Sequence, residues 1–133
     1  MFKTFSFKTQ AKSELIDITG LVKNAVRESR VNDGTCLVFV PHTTAGITIN
    51  ENADPAVKTD ILAKLDKLIE WNDPDYRHTE KNSAAHIKSS LTGSSQTLII
   101  HNSNLQIGNW QNIYFAEFDG PRSRRVLVNI TGK

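Results

Sequence analysis

Three of the four histidines in the sequence lie in polar segments that could form a reactive site. His42 directly follows an apolar run, and His78 and His86 stand eight positions apart further along the chain. Neutral imidazole is the commonest metal ligand in proteins, and histidine is the only side chain that normally titrates near neutral pH. If the three rings converge, they could hold a divalent metal such as zinc and leave one position open for water or substrate. Because no HExxH or CxxC spacing is present, the alternative that each histidine only caps or bridges a loop stays open.

Carboxylates and amides follow the first of these histidines. Asn50, Glu51 and Asp54 lie within five positions, and Asp60 comes shortly after them. Oxygen ligands of this kind can bind Mg²⁺ and, through the ion, a diphosphate. In the competing interpretation, Asp54 is the cap of a helix and Asp60 lies on the solvated face of that helix.

Glu117 predicts either a buried ion pair or the end of a buried face. On its predicted strand it alternates with Ile113 and Phe115, so the three side chains point to the same side. A buried carboxylate without a cation or hydrogen bonds would cost too much free energy to persist. Three arginines lie within residues 122–125, and their guanidinium groups pair well with carboxylate or phosphate.

Two further features carry less chemistry. Residues 89–95 are rich in serine and glycine and could donate to an anion, but they lack the lysine and the spacing of a P-loop, so a turn with serine caps is the simpler interpretation. Cys36 lies in the middle of an apolar run, where a thiol is expected to be inert.

The elements that must position these groups are two or three helices and seven strands. An Asp54-Pro55 start and one apolar stripe predict the clearest helix, which continues to about Ile69. Shorter helices are predicted after Thr19, taken as an N-cap, and from Ser83 to about Leu91. Strands are predicted at residues 3–8, 14–18, 34–40, 46–50, 96–100, 112–118 and 125–130. Residues 34–40 are apolar on both faces and are expected to form a central strand.

The strands outnumber the helices and do not alternate with them regularly. The sequence therefore predicts an α+β fold, a mostly antiparallel β-sheet sandwich with two or three helices, rather than a doubly wound sheet. The 133 residues suit one domain, which we assign to residues 1–133.

Composition limits the class of protein. The 16 basic and 14 acidic residues give a net charge of +2, which argues against a nucleic-acid binder. The one cysteine cannot form an intrachain disulfide, and no export signal is visible near the N-terminus. No stretch reaches the ~20 apolar residues of a membrane helix. We therefore expect a cytoplasmic protein with no membrane partner.

Three long motifs resemble the YjbQ-like family. They are HTTAGITINENADP at residues 42–55, YRH at 76–78 followed by NSAAHIKSSL at 82–91, and GNWQNIYFAEFDGPR at 108–122. The resemblance covers nearly the whole chain, in order and without a long insertion. It departs from the family at Lys81, where many members have glycine or an acidic residue, and at residues 101–104, which are more polar than the usual family turn.

The resemblance implies a small α+β protein that assembles as a homotrimer. It also implies a weak activity of the thiamine-phosphate synthase type, which joins a pyrimidine diphosphate to a thiazole phosphate. The self-partnered trimer would then bind a small phosphorylated or heterocyclic ligand. Two other functions stay open: a metal-dependent hydrolase, in which a histidine-bound water attacks an ester or amide, and a non-catalytic trimer that binds a small phosphorylated ligand or a metal.

Residue chemistry and the family's polar positions together predict a site. Catalytic roles are expected for His42, Glu51, Asp60, His78, His86 and Glu117. Substrate contacts are expected for Asn50, Asn82, Ser83, Trp110, Gln111, Asp119 and Arg122. A divalent metal, Mg²⁺ or Zn²⁺, is expected at His42, His78 and His86. Trp110 would stack on a flat heterocycle, and Arg122 would stabilise the diphosphate leaving group.

Overall fold

Eight strands and three helices make up the fold, and the computed structural model describes every residue from 1 to 133. The strands are Phe2–Lys8 (β1), Glu14–Asp17 (β2), Gly34–Phe39 (β3), Ala45–Glu51 (β4), Ser95–His101 (β5), Asn104–Gln106 (β6), Gln111–Glu117 (β7) and Ser123–Gly132 (β8). The helices are Thr19–Ser29 (α1), Pro55–Leu68 (α2) and Ser83–Thr92 (α3).

The strands form two antiparallel sheets, which confirms the predicted α+β sandwich. One sheet has five strands in the order β1-β8-β3-β5-β6, and the other has three in the order β2-β7-β4. All seven predicted strands are present with their ends within two residues of the predicted ones, and β3 is central as expected. The eighth strand, β6, was not predicted, because its three residues are too few to show a period of two.

The main hydrophobic core lies between the two sheets. Alternate residues of the five-stranded sheet, such as Val38 and Val128, face Ile47 and Phe115 of the three-stranded sheet, and all four are fully buried. Helix α1 adds Val22, Ala25 and Val26 to the same core. Burying one face of each sheet in this way leaves the other two faces to be covered separately.

Helices α2 and α3 cover the second face of the three-stranded sheet. Tyr114, Ala116 and Phe118 of the β7 segment are buried there in one cluster with Ala85 of α3. Helix α2 contributes its half-buried apolar residues to this layer but has no fully buried side chain. An ion pair between Lys88 of α3 and Asp66 of α2 joins the two helices.

The start of α2 is confirmed, whereas the predicted N-cap of α1 is wrong. The Asp54 carboxylate accepts a hydrogen bond from Ala56 N at 2.9 Å, with Pro55 as the first helical residue. In α1 the cap position belongs to Ile18, and Thr19 is already helical. The Thr19 hydroxyl is used elsewhere: its Oγ1 accepts from Ile113 N at 2.8 Å and joins the helix to β7.

The outward side of the five-stranded sheet carries an uncovered apolar patch. Phe2 is 58% exposed, Ile99 62%, and Leu37 and Phe39 39% and 38%. The strand registers place these four side chains on one side of the sheet, and we call this surface the outer apolar face. The core of this chain therefore explains the apolar residues on the inward side of β3, but it does not explain those on the outward side. None of the three helices has the length and hydropathy that crossing a membrane requires.

Candidate functional site

Three histidines line one polar cavity at an end of the sandwich. His42 follows the end of β3, His78 lies in the loop before α3, and His86 lies in the first turn of α3. The cavity, which we call the histidine cavity, has a volume of about 420 Å³ and is lined by Pro41, His42, Thr43, Thr44, His78, Glu80, Asn82, His86, Arg122 and Arg124. The rings of His78 and His86 meet edge to face, with their centroids 5.3 Å apart. The fold thus brings together residues from three separate segments.

His42 is held in one orientation by the backbone of β8. Its Nε2 accepts a hydrogen bond from Arg125 N at 3.0 Å. Burial lowers the pKa of His42, and the positive charge of Arg124 lowers that pKa further. The ring is therefore neutral at pH 7 and carries its proton on Nδ1, so it can donate one hydrogen bond to a bound molecule.

A metal site is not preassembled in this chain. No group of three or more His, Cys, Asp or Glu side chains is arranged to hold a metal ion. In addition, a metal bound through Nε2 of His42 would have to displace the hydrogen bond from Arg125. We therefore assign no chemical step to a metal, and the predicted metal site at the histidines stays a prediction.

A buried ion pair lies beneath the cavity. Glu117 is fully buried, and its two oxygens accept from Nε and Nη2 of Arg124 at 2.8 and 2.5 Å. The Thr9 hydroxyl and the Asp119 amide also donate to Glu117, at 2.7 and 3.0 Å. Burial alone would raise the pKa of Glu117, but these hydrogen bonds outweigh burial and hold the pKa below its usual value.

Glu117 was expected to be a catalytic residue, but it lies outside the histidine cavity. Of the two alternatives left by the sequence, the structure shows the buried carboxylate with a partner, and that partner is Arg124. Glu117 does not line the histidine cavity, and both of its oxygens are occupied. Its contribution is to hold the Arg124 guanidinium in place.

A second arginine is fixed from the side of α3. The Asp119 carboxylate accepts from Nη2 of Arg122 and from Nδ2 of Asn82, both at 2.9 Å. Asn82 is the residue before α3, and its Oδ1 is the one buried side-chain polar atom of the chain that has no hydrogen-bond partner. Such an acceptor needs a donor from water or from a bound molecule. Ser83, also predicted to contact substrate, begins α3 but does not line the cavity.

The remaining predicted residues lie at the other end of the three-stranded sheet. In the antiparallel pairing of β4 with β7, Ala45 is opposite Glu117, whereas Glu51 is opposite Gln111. The six residue steps from Ala45 to Glu51 separate the two ends by about 20 Å. The distal group consists of Asn50, Glu51, Trp110 and Gln111. Asp60 lies on the exposed side of α2, away from the cavity lining.

The expected stacking by Trp110 therefore does not occur within one chain. Trp110 is 66% exposed, and its carbonyl accepts from Asn52 N at 2.9 Å at the distal end of the sheet. A heterocycle bound in the histidine cavity of the same chain is out of its reach.

The sequence matches one protein family over almost its whole length. The family model described as UPF0047 protein YjbQ-like matches residues 3–133. The chain belongs to this family. It is 54% identical to a UPF0047 protein of Methanocaldococcus jannaschii, over 99% of this chain and 94% of that protein. It is 49% identical to the UPF0047 protein YugU of Bacillus subtilis, over 99% of this chain and all of that protein (100%).

Solved structures of the YjbQ-like family have the same fold. A Clostridium acetobutylicum protein described as an uncharacterized conserved protein of this family superposes with a TM-score of 0.95 at 60% identity, covering 97% of this chain and 99% of that one. A YbjQ-like protein of unknown function from Sulfolobus solfataricus gives a TM-score of 0.96 at 34% identity, covering 100% of this chain and 97% of that one. Family membership thus establishes the architecture, and the reaction has to be argued from the site.

Sequence reasoning overlooked one important residue of this YjbQ-like chain, Arg124. It was one of three arginines expected to pair with a carboxylate or phosphate and was not singled out, because the predicted strand began at residue 125. Extending the alternation of Val126, Val128 and Ile130 back by one step places Arg124 on the inward side of β8, where it is only 6% exposed. An inward arginine at the end of an apolar alternation was the signal that could have identified it.

The serine- and glycine-rich residues also border the site. A cavity of about 500 Å³ shares His42, Thr43 and His86 with the histidine cavity and is otherwise lined by Ala45, Ser89, Ser90, Gly93 and Ser94. Two of its serine hydroxyls, those of Ser89 and Ser90, donate to backbone carbonyls one turn earlier, at 2.9 Å each. Those serines thus serve the helix itself.

Proposed function

We propose that this protein is a small-molecule transferase of the thiamine-phosphate synthase type, with the diphosphate of a pyrimidine substrate bound in the histidine cavity. The observation that carries the proposal is the lining of that cavity, in which three histidines and two arginines from separate elements converge. In this reaction the lone pair of a thiazole nitrogen forms a bond to a pyrimidine methylene carbon, and the bond from that carbon to the diphosphate breaks. The catalyst has to stabilise the departing diphosphate, and a strong base is not needed.

The arginines are suited to this task because they are fixed before the substrate binds. The backbone carbonyl of Asp119 accepts from Nε of Arg122 at 2.8 Å, and the Asp119 carboxylate accepts from Nη2 at 2.9 Å. Glu117 holds Arg124 in the same manner from below. Donors that need no reorganisation stabilise developing negative charge better than mobile ones.

Neutral donors complete the proposed anion site. His42 presents Nδ1–H, and His86 lies in the first turn of α3, near the positive end of the helix dipole. The unpartnered Oδ1 of Asn82 would accept from a donor on the substrate. His78 and His86 would donate hydrogen bonds to oxygens of the departing diphosphate.

We propose in addition that the protein works as a homotrimer. The outer apolar face exposes four large hydrophobic side chains, which a second copy could cover. The separation of the two groups of predicted residues supports the same proposal, since Glu51 and Trp110 can reach a histidine cavity only in another copy. The site would then be completed between chains.

Substrate turnover tests the transferase proposal. The purified protein is incubated with the pyrimidine diphosphate and the thiazole phosphate, and diphosphate release and the coupled product are quantified. We expect turnover by the wild-type protein and a loss of about 100-fold in His78→Ala and in His86→Ala, with unchanged unfolding midpoints. The matched control is His101→Ala, since His101 is exposed and pairs with Asp33 at the opposite end of β3.

The outcomes separate the alternatives. Full turnover by both His78→Ala and His86→Ala would overturn the site assignment. A wild-type protein that binds the phosphorylated substrates without coupling them would support the non-catalytic binding module in place of the enzyme.

A further inference from the structure

A second cavity, on the other side of His42, is lined by cations and hydroxyls. It has a volume of about 490 Å³ and is formed by Ser6, Phe7, Lys8, His42, Ser123, Arg124 and Arg125. No acidic residue lines it. Of its residues, only His42 was predicted from the sequence to take part in a site. We call it the cationic cavity, and we propose that it is a second anion site, which binds the dianionic group of a phosphate monoester.

The pairing of β1 with β8 explains why these side chains meet. Ser6 is opposite Arg125, and Lys8 is opposite Ser123, so two neighbouring cross-strand pairs lie on the same side of the sheet. Directly opposed residues in antiparallel strands have Cβ atoms about 5 Å apart. Each pair therefore combines one cation with one hydroxyl, which are the two kinds of donor that bind phosphate oxygens.

Arg124, opposite Phe7 on the inward side of the sheet, adds a buried guanidinium to the lining of the cavity. Its Nε and Nη2 are used by Glu117 and Thr44, whereas Nη1 makes no hydrogen bond within the chain. The only side-chain polar atom of the chain that is both buried and unpartnered is Asn82 Oδ1. Nη1 of Arg124 has no partner, so it must keep some contact with solvent. Arg124 is only 6% exposed, so its guanidinium is rigid, and Nη1 is the one nitrogen left to bind an anion.

The other two cations have no competing partner. Lys8 and Arg125 are exposed, and neither forms an ion pair in the chain. Arg124 is already neutralised by Glu117, so Lys8 and Arg125 provide the two net positive charges that match a phosphate dianion. A cavity with two exposed cations is too small a charged surface for a nucleic acid.

The identity of the ligand rests on the proposed function, although the anion site itself does not. A reaction that joins a diphosphate to a phosphate monoester needs a place for each anion. The histidine cavity and the cationic cavity share His42 and Arg124. The diphosphate in the first and the thiazole phosphate in the second would bring the reacting carbon and the reacting nitrogen towards the shared residues.

Inorganic phosphate is the probe for the anion site. Phosphate is titrated into the ¹⁵N-labelled protein at constant ionic strength, with chloride as the reference anion. We expect saturable shifts in the amides of Ser6, Lys8 and Arg125, and an affinity about tenfold weaker in the double variant Lys8→Gln/Arg125→Gln. The matched control removes two exposed cations from α1, in Lys23→Gln/Arg27→Gln, and is expected to bind phosphate like the wild type.

Two results would overturn the anion site. One is a phosphate response confined to the amides of the histidine cavity, such as Thr43 and His86. The other is equal weakening in both double variants, which would show a nonspecific effect of net charge. Unfolding midpoints and molecular mass of the variants are measured alongside, so that a folding defect is recognised.

Steady-state kinetics test the identity of the ligand separately. The variant Lys8→Gln/Arg125→Gln should raise KM for the thiazole phosphate about tenfold and leave KM for the pyrimidine diphosphate unchanged. An increase confined to the diphosphate would contradict the assignment. If the wild-type protein shows no turnover at all, the transferase proposal fails, while the phosphate titration still decides whether the cationic cavity binds an anion.

Discussion

Glu117 and Arg124 form an ion pair enclosed between the two sheets, with Nε–Oε1 and Nη2–Oε2 distances of 2.8 and 2.5 Å. Glu117 belongs to β7 and Arg124 to β8, so the pair joins the three-stranded sheet to the five-stranded one. The Thr9 hydroxyl donates to Glu117, and the Thr44 hydroxyl accepts from Arg124. The arrangement fixes a guanidinium at the border of the histidine cavity and the cationic cavity, and it makes the site dependent on the packing of the whole sandwich.

Replacing Glu117 should strongly destabilise the fold. In Glu117→Gln the Arg124 charge stays buried without a counter-ion, and losing one partner of a buried pair costs about 3–5 kcal/mol. Urea unfolding at pH 7 measures the free energy of unfolding. The matched control is Glu28→Gln, which removes the exposed pair with Lys3 and should cost less than about 1 kcal/mol. Similar losses in the two variants would show that the Glu117 pair is not a special contributor to stability.

The stabilisation from Glu117 should depend on pH. Because the pKa of Glu117 is lowered from its usual value of 4.5, the unfolded chain takes up this proton at a higher pH than the folded chain does. The contribution is therefore fully present above pH 4.5 and is lost as the pH falls through the lowered pKa of the folded state. The difference in unfolding free energy between the wild type and Glu117→Gln should shrink between pH 4.5 and more acidic pH. A difference that stays constant over this range would contradict the assignment.

The two arginines of the histidine cavity should respond differently to substitution. Arg122 is half-exposed and anchored only by Asp119, so Arg122→Gln should change stability by about 1 kcal/mol or less. Its affinity for inorganic diphosphate should nevertheless fall about tenfold, because the guanidinium charge and its one unpaired nitrogen, Nη1, are lost. Arg124→Gln should in contrast lower the unfolding midpoint, since Glu117 is then left buried without its cation. Calorimetric titration with diphosphate and thermal unfolding of both variants measure the two effects, and a stable Arg124→Gln protein would refute the distinction.

The outer apolar face should control assembly. Light scattering of the wild type should give three times the chain mass of 14.9 kDa. Leu37→Glu/Phe39→Glu introduces two charges into this face and should yield monomers. Lys23→Glu on α1 is the control for the added negative charge. A wild-type monomer at micromolar concentration would eliminate the trimer.

Mixed assemblies can show whether the site spans two chains. If Trp110 of one copy completes the histidine cavity of another, Trp110→Ala and His86→Ala should each be inactive alone. Unfolding and refolding the two variants together should then restore part of the activity, since some cavities combine an intact His86 with an intact Trp110. An inactive mixture of correctly assembled chains would contradict a site shared between two chains.

Metal content should distinguish the transferase from a zinc hydrolase. Because no group of three ligands is preassembled, we expect the purified protein to contain less than one equivalent of zinc by elemental analysis. A diphosphate carries Mg²⁺ with it, so turnover should fall on chelation and return when Mg²⁺ is added. One equivalent of zinc whose removal abolishes ester hydrolysis, with His78→Ala losing the metal, would instead favour the hydrolase.

Local pattern was enough to predict the elements of this fold. The cap at Asp54, the proline after it, the apolar run around Val38 and the alternation around Val128 depend on neighbouring residues only, and each was read correctly from the sequence. Thr19 shows where local reasoning ends. Its hydroxyl was expected to cap its own helix, but it accepts from Ile113, 94 positions away in sequence, which no local pattern reveals.

The grouping of chemistry-bearing residues was decided by strand register and by the packing of α3 against the sheets. His42, His78 and His86 come together because the end of β3 and the start of α3 lie at the same end of the sandwich. Trp110 and Glu51, from motifs of the same family, lie at the opposite end because β4 and β7 are paired antiparallel along their full length. The sequence by itself determined the α+β architecture and the residues capable of chemistry. Only the tertiary structure decided which of them share a cavity, because that depends on contacts between segments far apart in the chain.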